Sequence, residues 1–183
     1  MTPLLRFEAV TLRRGGRLLF EDLDFTLRAG EALQVTGPNG SGKSSLLRLA
    51  AGLLSPERGR VERSPLALAD DALALDSELP LGRALDFWGG ASTPAMQALG
   101  IAHLAAVPVR LLSSGQCKRA ALARAVGSGT PLWLLDEPLN ALDADGAERL
   151  GAIIANHLRE GGAILAASHQ LLPGKLARLE LSA

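Results

Sequence analysis

One cysteine, no tyrosine, no surplus of either charge and no long apolar run: each shortage in this chain narrows its possible roles. Cys117 alone cannot form an internal disulfide, and a single thiol suits a reducing compartment. The 19 basic residues are matched by 19 acidic ones, so there is no general field for nucleic acid or an anionic membrane. Although 48% of the residues are hydrophobic, no apolar run approaches the roughly 18 residues needed to span a bilayer. Met1–Val10, with Arg6 and Glu8, lacks the basic start and apolar stretch of a signal peptide. The expectation is a soluble, cytoplasmic chain; if it serves a membrane process, other subunits supply the membrane part. No internal repeat or low-complexity linker divides it. At 183 residues it is expected to be one domain, 1–183, burying roughly 70% of its unfolded surface without disulfides or a structural metal.

Three runs stand out in what is present. GPNGSGKSS at Gly37–Ser45 has Gly37, Gly42, Lys43 and Ser44 in the places of a phosphate-binding loop. Glycines let backbone N–H groups turn inward, Lys43 brings a cation to the β/γ-phosphates, and Ser44 offers a hydroxyl to Mg²⁺. Pro38, Asn39, Gly40, Ser41 and Ser45 complete the loop and count as nucleotide-binding candidates. LLDEP at Leu134–Pro138 ends a buried strand in two carboxylates. Asp136 is placed to hold Mg²⁺, directly or through water, and Glu137 to orient the attacking water. LSSGQ at Leu112–Gln116 opens a helix whose first amides are free to bind an anion, although an ordinary serine N-cap fits the pentapeptide too. His169 ends a strand of small residues, at the side of the sheet where it reaches a γ-phosphate. His103 and His157 are expected at the surface or an interface, Cys117 to be structural, and Trp133 to be packing.

The periodicity predicts strands over Leu4–Arg13, Arg17–Leu27, Ala32–Thr36, Gly59–Arg63, Leu132–Leu135 and Ala163–Ser168. It predicts helices from Gly42 to about Leu53, from Ser113 to about Val126, and over Ala147–Leu158. The alanine- and leucine-rich middle, interrupted by Pro80, Gly89–Gly90 and Pro108, reads as a small helical subdomain spanning about 66–126. The alternation gives an α/β fold with a largely parallel central sheet and N-terminal antiparallel strands, its ligand at the carboxyl ends of the strands.

GPNGSGKSS, LSSGQ, LLDEP, the NALD at Asn140–Asp143 and His169, in that order, resemble the nucleotide-binding subunit of ATP-binding-cassette transporters over nearly the whole chain. The resemblance implies a P-loop NTPase core, ATP and Mg²⁺ as ligands, and two subunits paired head to tail. Lys43, Ser44, Asp136, Glu137 and His169 would then face ATP from one chain. Ser113, Ser114, Gly115 and Gln116 would face it from the partner, with Asn140–Asp143 linking the sites. RGGRLLFEDLDFTLRAGEALQVTGPNGSGKSSLLRLAAGL, PLWLLDEPLNALDADG and the short His169–Gln170 ending are most similar to the haem-exporter subgroup serving cytochrome c maturation. That similarity implies integral membrane permease partners at the cytoplasmic face of a bacterial inner membrane. An ATPase for another small-molecule transporter, or a slow nucleotide-gated assembly module, would share the motifs. A chromosome-associated ATPase would need long heptads between Ser45 and Ser113, where there is no room for them.

Two departures from that family pattern follow from the shortages. Without tyrosine, and with only arginine and glycine at Arg13–Gly16, adenine is expected against an arginine plane or an aliphatic side chain. The glutamine expected between the phosphate loop and LSSGQ is missing: Gln97 comes too late, and Asp70 or Asp71 stands near the expected place. Phe87 and Trp88 border the region that receives a membrane subunit in this family, but are expected to form the subdomain's own core.

Overall fold

The computed structural model describes residues 2–174 and 176–181. Strands β1 (Leu5–Arg14) and β2 (Arg17–Leu27) form a hairpin over Gly15–Gly16, and β4 (Arg58–Arg63) pairs with the other edge of β1. Phe7 and Phe25 stack across β1 and β2 with ring centroids 4.5 Å apart. Ala9 sits at a register shift, its N–H donating to Asp24 Oδ1 at 2.8 Å.

The second sheet is parallel, with order β5-β6-β7-β3-β8. It comprises β3 (Ala32–Thr36), β5 (Leu66–Ala69), β6 (Leu132–Asp136), β7 (Ala163–Ala167) and β8 (Ala177–Glu180). Every residue of β6 and β7 is buried, which is why both read as unbroken apolar runs rather than alternating ones. Leu132, Leu134, Ala163 and Leu165 face a core shared with β1, β2 and helix α1 (Lys43–Ala51). Trp133, Leu135, Ile164 and Ala166 face the opposite core, built with helices α4 (Ser114–Gly127) and α5 (Ala144–Arg159). This two-sided burial makes the chain a three-layer α/β protein.

The middle departs from expectation at its start. Leu66–Ala69 is not helical: it is β5, registered with Leu132–Leu135 of β6. Pro65 and the acidic pair Asp70–Asp71 confine this apolar tetrapeptide, and ladder pairing beside a buried strand outweighs the helix preference of Leu and Ala. The helical part consists of α2 (Leu81–Asp86), α3 (Ser92–Ala98), single 3₁₀ turns at Ala102–Leu104 and Val109–Leu111, and α4. Strand β8 has no counterpart in the sequence-based expectation; it is a four-residue, largely exposed edge strand. The N-terminal end of α5 lies at Ala144 rather than Ala147, because Asp143 caps it by accepting from the Gly146 N–H.

Phe87 and Trp88 do not form the subdomain core, being 81% and 49% exposed. Helix α2 buries Leu81, Ala84 and Leu85, and the two aromatics lie past that face. Trp88 is held from the side: its Nε1 donates to Ala74 O at 3.0 Å, and the Arg124 guanidinium lies 4.7 Å from the ring centroid. His103 is exposed, whereas His157 is half-buried and stacks on Trp133 with centroids 3.6 Å apart.

Candidate functional site

The carboxyl ends of β3, β5, β6 and β7 open on one side of the parallel sheet, and each runs into a chemical motif. After β3 the chain enters Gly37–Ser45. Gly37 has φ +139°, and a Cβ there would lie 2.4 Å from the Leu181 carbonyl oxygen, so no side chain fits. Lys43 is 8% exposed and closes the loop on itself, its Nζ donating to Gly37 O at 2.7 Å and Pro38 O at 3.0 Å. Ser41 is buried, and its Oγ has no partner among the described residues. A cavity of about 600 Å³ opens over the loop. Asn39, Gly40, Gly42, Lys43, Ser44 and Ser45 line it, Glu137 enters from β6, and Arg14, Gly15 and Leu19 form its outer wall. Among the described residues, no aromatic ring lines this cavity.

Asp136 is nearly buried at the end of β6. Burial pushes its carboxyl above the ordinary range; the neighbouring Ser44 hydroxyl pulls it down, Asp71 and Glu137 push it up, and Lys118 pulls it down. The donor set of Ser44 and Asp136, hard oxygens next to a phosphate loop, fits Mg²⁺.

Glu137 occupies the left-handed region at φ +43°, a strained backbone for a non-glycine residue. Its N–H donates to Ala167 O at 2.8 Å, tying it to the end of β7. Its Oε2 lies 2.8 Å from Nδ1 of His169 and accepts from the His169 N–H at 3.3 Å. Lys43, Ser44, Asp136, Glu137 and His169 thus come together from three strand ends.

Ser113, Ser114, Gly115 and Gln116 do not line that cavity. Ser113 caps α4 in a reciprocal box: the Gln116 N–H donates to Ser113 Oγ at 3.3 Å, and the Ser113 N–H donates to Gln116 Oε1 at 2.9 Å. The turn packs on Asn140–Asp143, where a Cβ at Gly115 would lie 2.7 Å from Ala141 O. Ser114 and Asn140 share a hollow of about 250 Å³ with Asp70, Asp71 and Cys117. Cys117 is half-buried there, and burial raises its thiol pKa.

Sequence reasoning missed two cations on α4. Lys118 donates to the main-chain oxygen of Asp136 at 3.0 Å and lies 3.6 Å from the Asp71 carboxylate. Arg119 pairs with Asp143 and Asp145, and donates to Leu99 O at 3.0 Å. The signal was present as two adjacent basic residues just after LSSGQ, on turns that otherwise face an apolar core. Of the two acids near the expected glutamine, Asp71 acts on Asp136, whereas Asp70 acts on Arg124. Gln97 is exposed on α3. A second cavity, of about 770 Å³, lies between α3 and α5 over the Trp133–His157 stack and contains none of the motif residues.

No helix among the described residues is long and apolar enough to cross a membrane. The ABC transporter family matches residues 20–83 and 88–140. A cytochrome c biogenesis ATP-binding export protein, CcmA, of Sphingopyxis alaskensis is 55% identical over 177 residues, covering 92% of this chain and 91% of the relative. A solved ATP binding subunit of an ABC transporter superposes with a TM-score of 0.84 at 22% identity, over 92% of this chain and 80% of that one. The dimeric ATP-binding cassette MJ0796, solved in a post-hydrolysis state with ADP and Pi, gives 0.79 at 21% identity, over 91% and 88%. With these likenesses and a phosphate loop facing an acidic strand end, the chain belongs to the ATP-binding-cassette transporter family, as one of its ATP-binding, ATP-hydrolysing subunits.

Proposed function

We propose that this chain is the Mg²⁺-dependent ATPase of a haem-exporting membrane complex that serves c-type cytochrome maturation, working in pairs at the cytoplasmic face of a bacterial inner membrane. The observation that carries the site is the convergence of Lys43, Ser44 and Glu137 on one cavity, with Asp136 behind it against the Ser44 hydroxyl and His169 against Glu137. The export assignment is supported by relatives named as cytochrome c biogenesis ATP-binding export proteins.

Loop amides and Lys43 bind the β- and γ-phosphates; Lys43 exchanges its two loop carbonyls for phosphate oxygens. Ser44 and Asp136 would hold Mg²⁺, which would supply charge neutralisation at the phosphates. Glu137 orients and polarises the attacking water, and His169 links that carboxylate to the terminal phosphate. Ser113–Gln116 and Asn140–Asp143 face away from the chain's own cavity and complete the partner's site. The base rests against Arg14 and Leu19, which stack and pack but provide no base-edge recognition, so ATP and GTP are poorly discriminated. The exposed Phe87–Trp88 pair is the contact for a permease helix.

The test is a pull-down from solubilised native membranes with tagged Glu137→Gln protein, ATP and Mg²⁺. Recovery of haem-handling membrane subunits with haem absorbance is expected. A different permease would overturn the haem assignment, and no membrane partner would favour a soluble nucleotide-gated module.

A further inference from the structure

Strand β3 is buried at every position but its last, and one of its residues, Gln34, is polar and 2% exposed. A buried amide at the centre of a sheet is costly unless its donors and acceptor are satisfied. Here all are. Nε2 donates to Gln170 O at 2.6 Å and to Ser168 O at 3.4 Å, and Oε1 accepts from the Leu172 N–H at 3.2 Å. Two carbonyls facing the nitrogen and one N–H facing the oxygen fix the orientation of the amide.

All three partners belong to the segment after β7, and they flank His169. The His169 ring is 55% exposed, so packing alone does not hold it against Glu137. Ser168 adds one local bond, its Oγ accepting from the Gln170 N–H at 3.1 Å.

We propose that Gln34 is a positioning residue for hydrolysis: its amide fixes the 168–172 turn so that His169 stands at Glu137 and at the terminal phosphate. The inference rests on the reading of His169 as a phosphate-facing group. Leucine at this position would suit the strand but leave two carbonyls and one N–H unpaired, and the turn would shift to solvate them.

The test uses the full chain and compares wild type, Gln34→Leu, His169→Ala and the double variant in steady-state ATP hydrolysis, with ATP binding measured separately. Gln34→Leu is expected to lower kcat by about tenfold or more, the range for residues that orient a functional group, with ATP affinity unchanged. In the His169→Ala background it is expected to add no further loss. A wild-type kcat for Gln34→Leu, a loss confined to KM, or independent losses in the double variant would each overturn the proposal. Normal hydrolysis by His169→Ala would instead overturn the reading of His169, and the proposal with it. Gln34→Met serves if the leucine variant does not fold. Hydrogen exchange needs no variant: the Leu172 amide is expected to be protected in the wild type, and exchange at the rate of an exposed amide would overturn the proposal.

Discussion

Lys118 donates to the main-chain oxygen of Asp136 across 3.0 Å, from the helix that begins with Ser113–Gln116. The helix whose first turn faces outward therefore grips, one turn later, the strand end beside the chain's own cavity. The Lys118 side chain is only 10% exposed and its ammonium lies 3.6 Å from Asp71, so the loop after β5 is bound into the same joint. Asp71 belongs to the stretch where a glutamine is expected between the phosphate loop and LSSGQ.

Replacement of Lys43 by alanine is expected to abolish ATP binding and hydrolysis while leaving the fold intact. The two carbonyls it now holds belong to half-buried Gly37 and exposed Pro38 and rehydrate. Titration with a fluorescent ATP analogue, alongside circular dichroism, checks both halves; normal turnover would remove Lys43 from the site.

Glu137→Gln is expected to bind ATP and lose hydrolysis by about a hundredfold or more, the usual contribution of a positioned base. With its chemistry blocked, the protein accumulates as an ATP-dependent dimer, read by size-exclusion chromatography with light scattering. A variant that stays monomeric at saturating ATP would count against head-to-tail pairing of the isolated chains.

Asp136 links stability to pH in the metal-free protein. Its folded pKa is raised, chiefly by burial. Between the ordinary carboxylate range and that raised value, the unfolded chain has released the proton while the folded one keeps it. Stability therefore falls as pH rises through this window and stays lowered above it. Asp136→Asn is expected to remove this dependence and raise the thermal midpoint without Mg²⁺, by about 2–4 °C for each kcal/mol relieved, while abolishing hydrolysis. Calorimetry at mildly acidic and neutral pH distinguishes this from a variant that merely unfolds.

Phe87→Ala is expected to leave hydrolysis by the purified chain unchanged, since its side chain is 81% exposed and lies outside the nucleotide cavity. Co-purification with membrane subunits should be lost. Retained co-purification would place the permease contact elsewhere.

The motifs, and the strands that deliver them, were legible because their chemistry is local. A phosphate loop needs its glycines and lysine in sequence, and doubly buried strands such as β6 show as apolar runs. What escaped depends on distant partners. Leu66–Ala69 becomes a strand only because β6 lies beside it, and β8 is too short and exposed to show a period. Phe87 and Trp88 looked like core by composition alone, yet they lie past the face that α2 buries. Gln34 gave no local sign of its role, since its partners lie more than 130 residues away. Lys118 was likewise unreadable until Asp71 and Asp136 were brought to it.

The contact between Gly115 and the Ala141 carbonyl divides the LSSGQ run by what each position can tolerate. Ser114 is exposed at the mouth of an open hollow and has room for other small side chains. Gly115 has none, because any Cβ would push the Asn140–Asp143 turn away before a nucleotide arrived. Mutational drift through this pentapeptide should therefore be uneven: substitutions at Ser114 alter how the turn meets its neighbour, whereas those at Gly115 break the turn's own foundation.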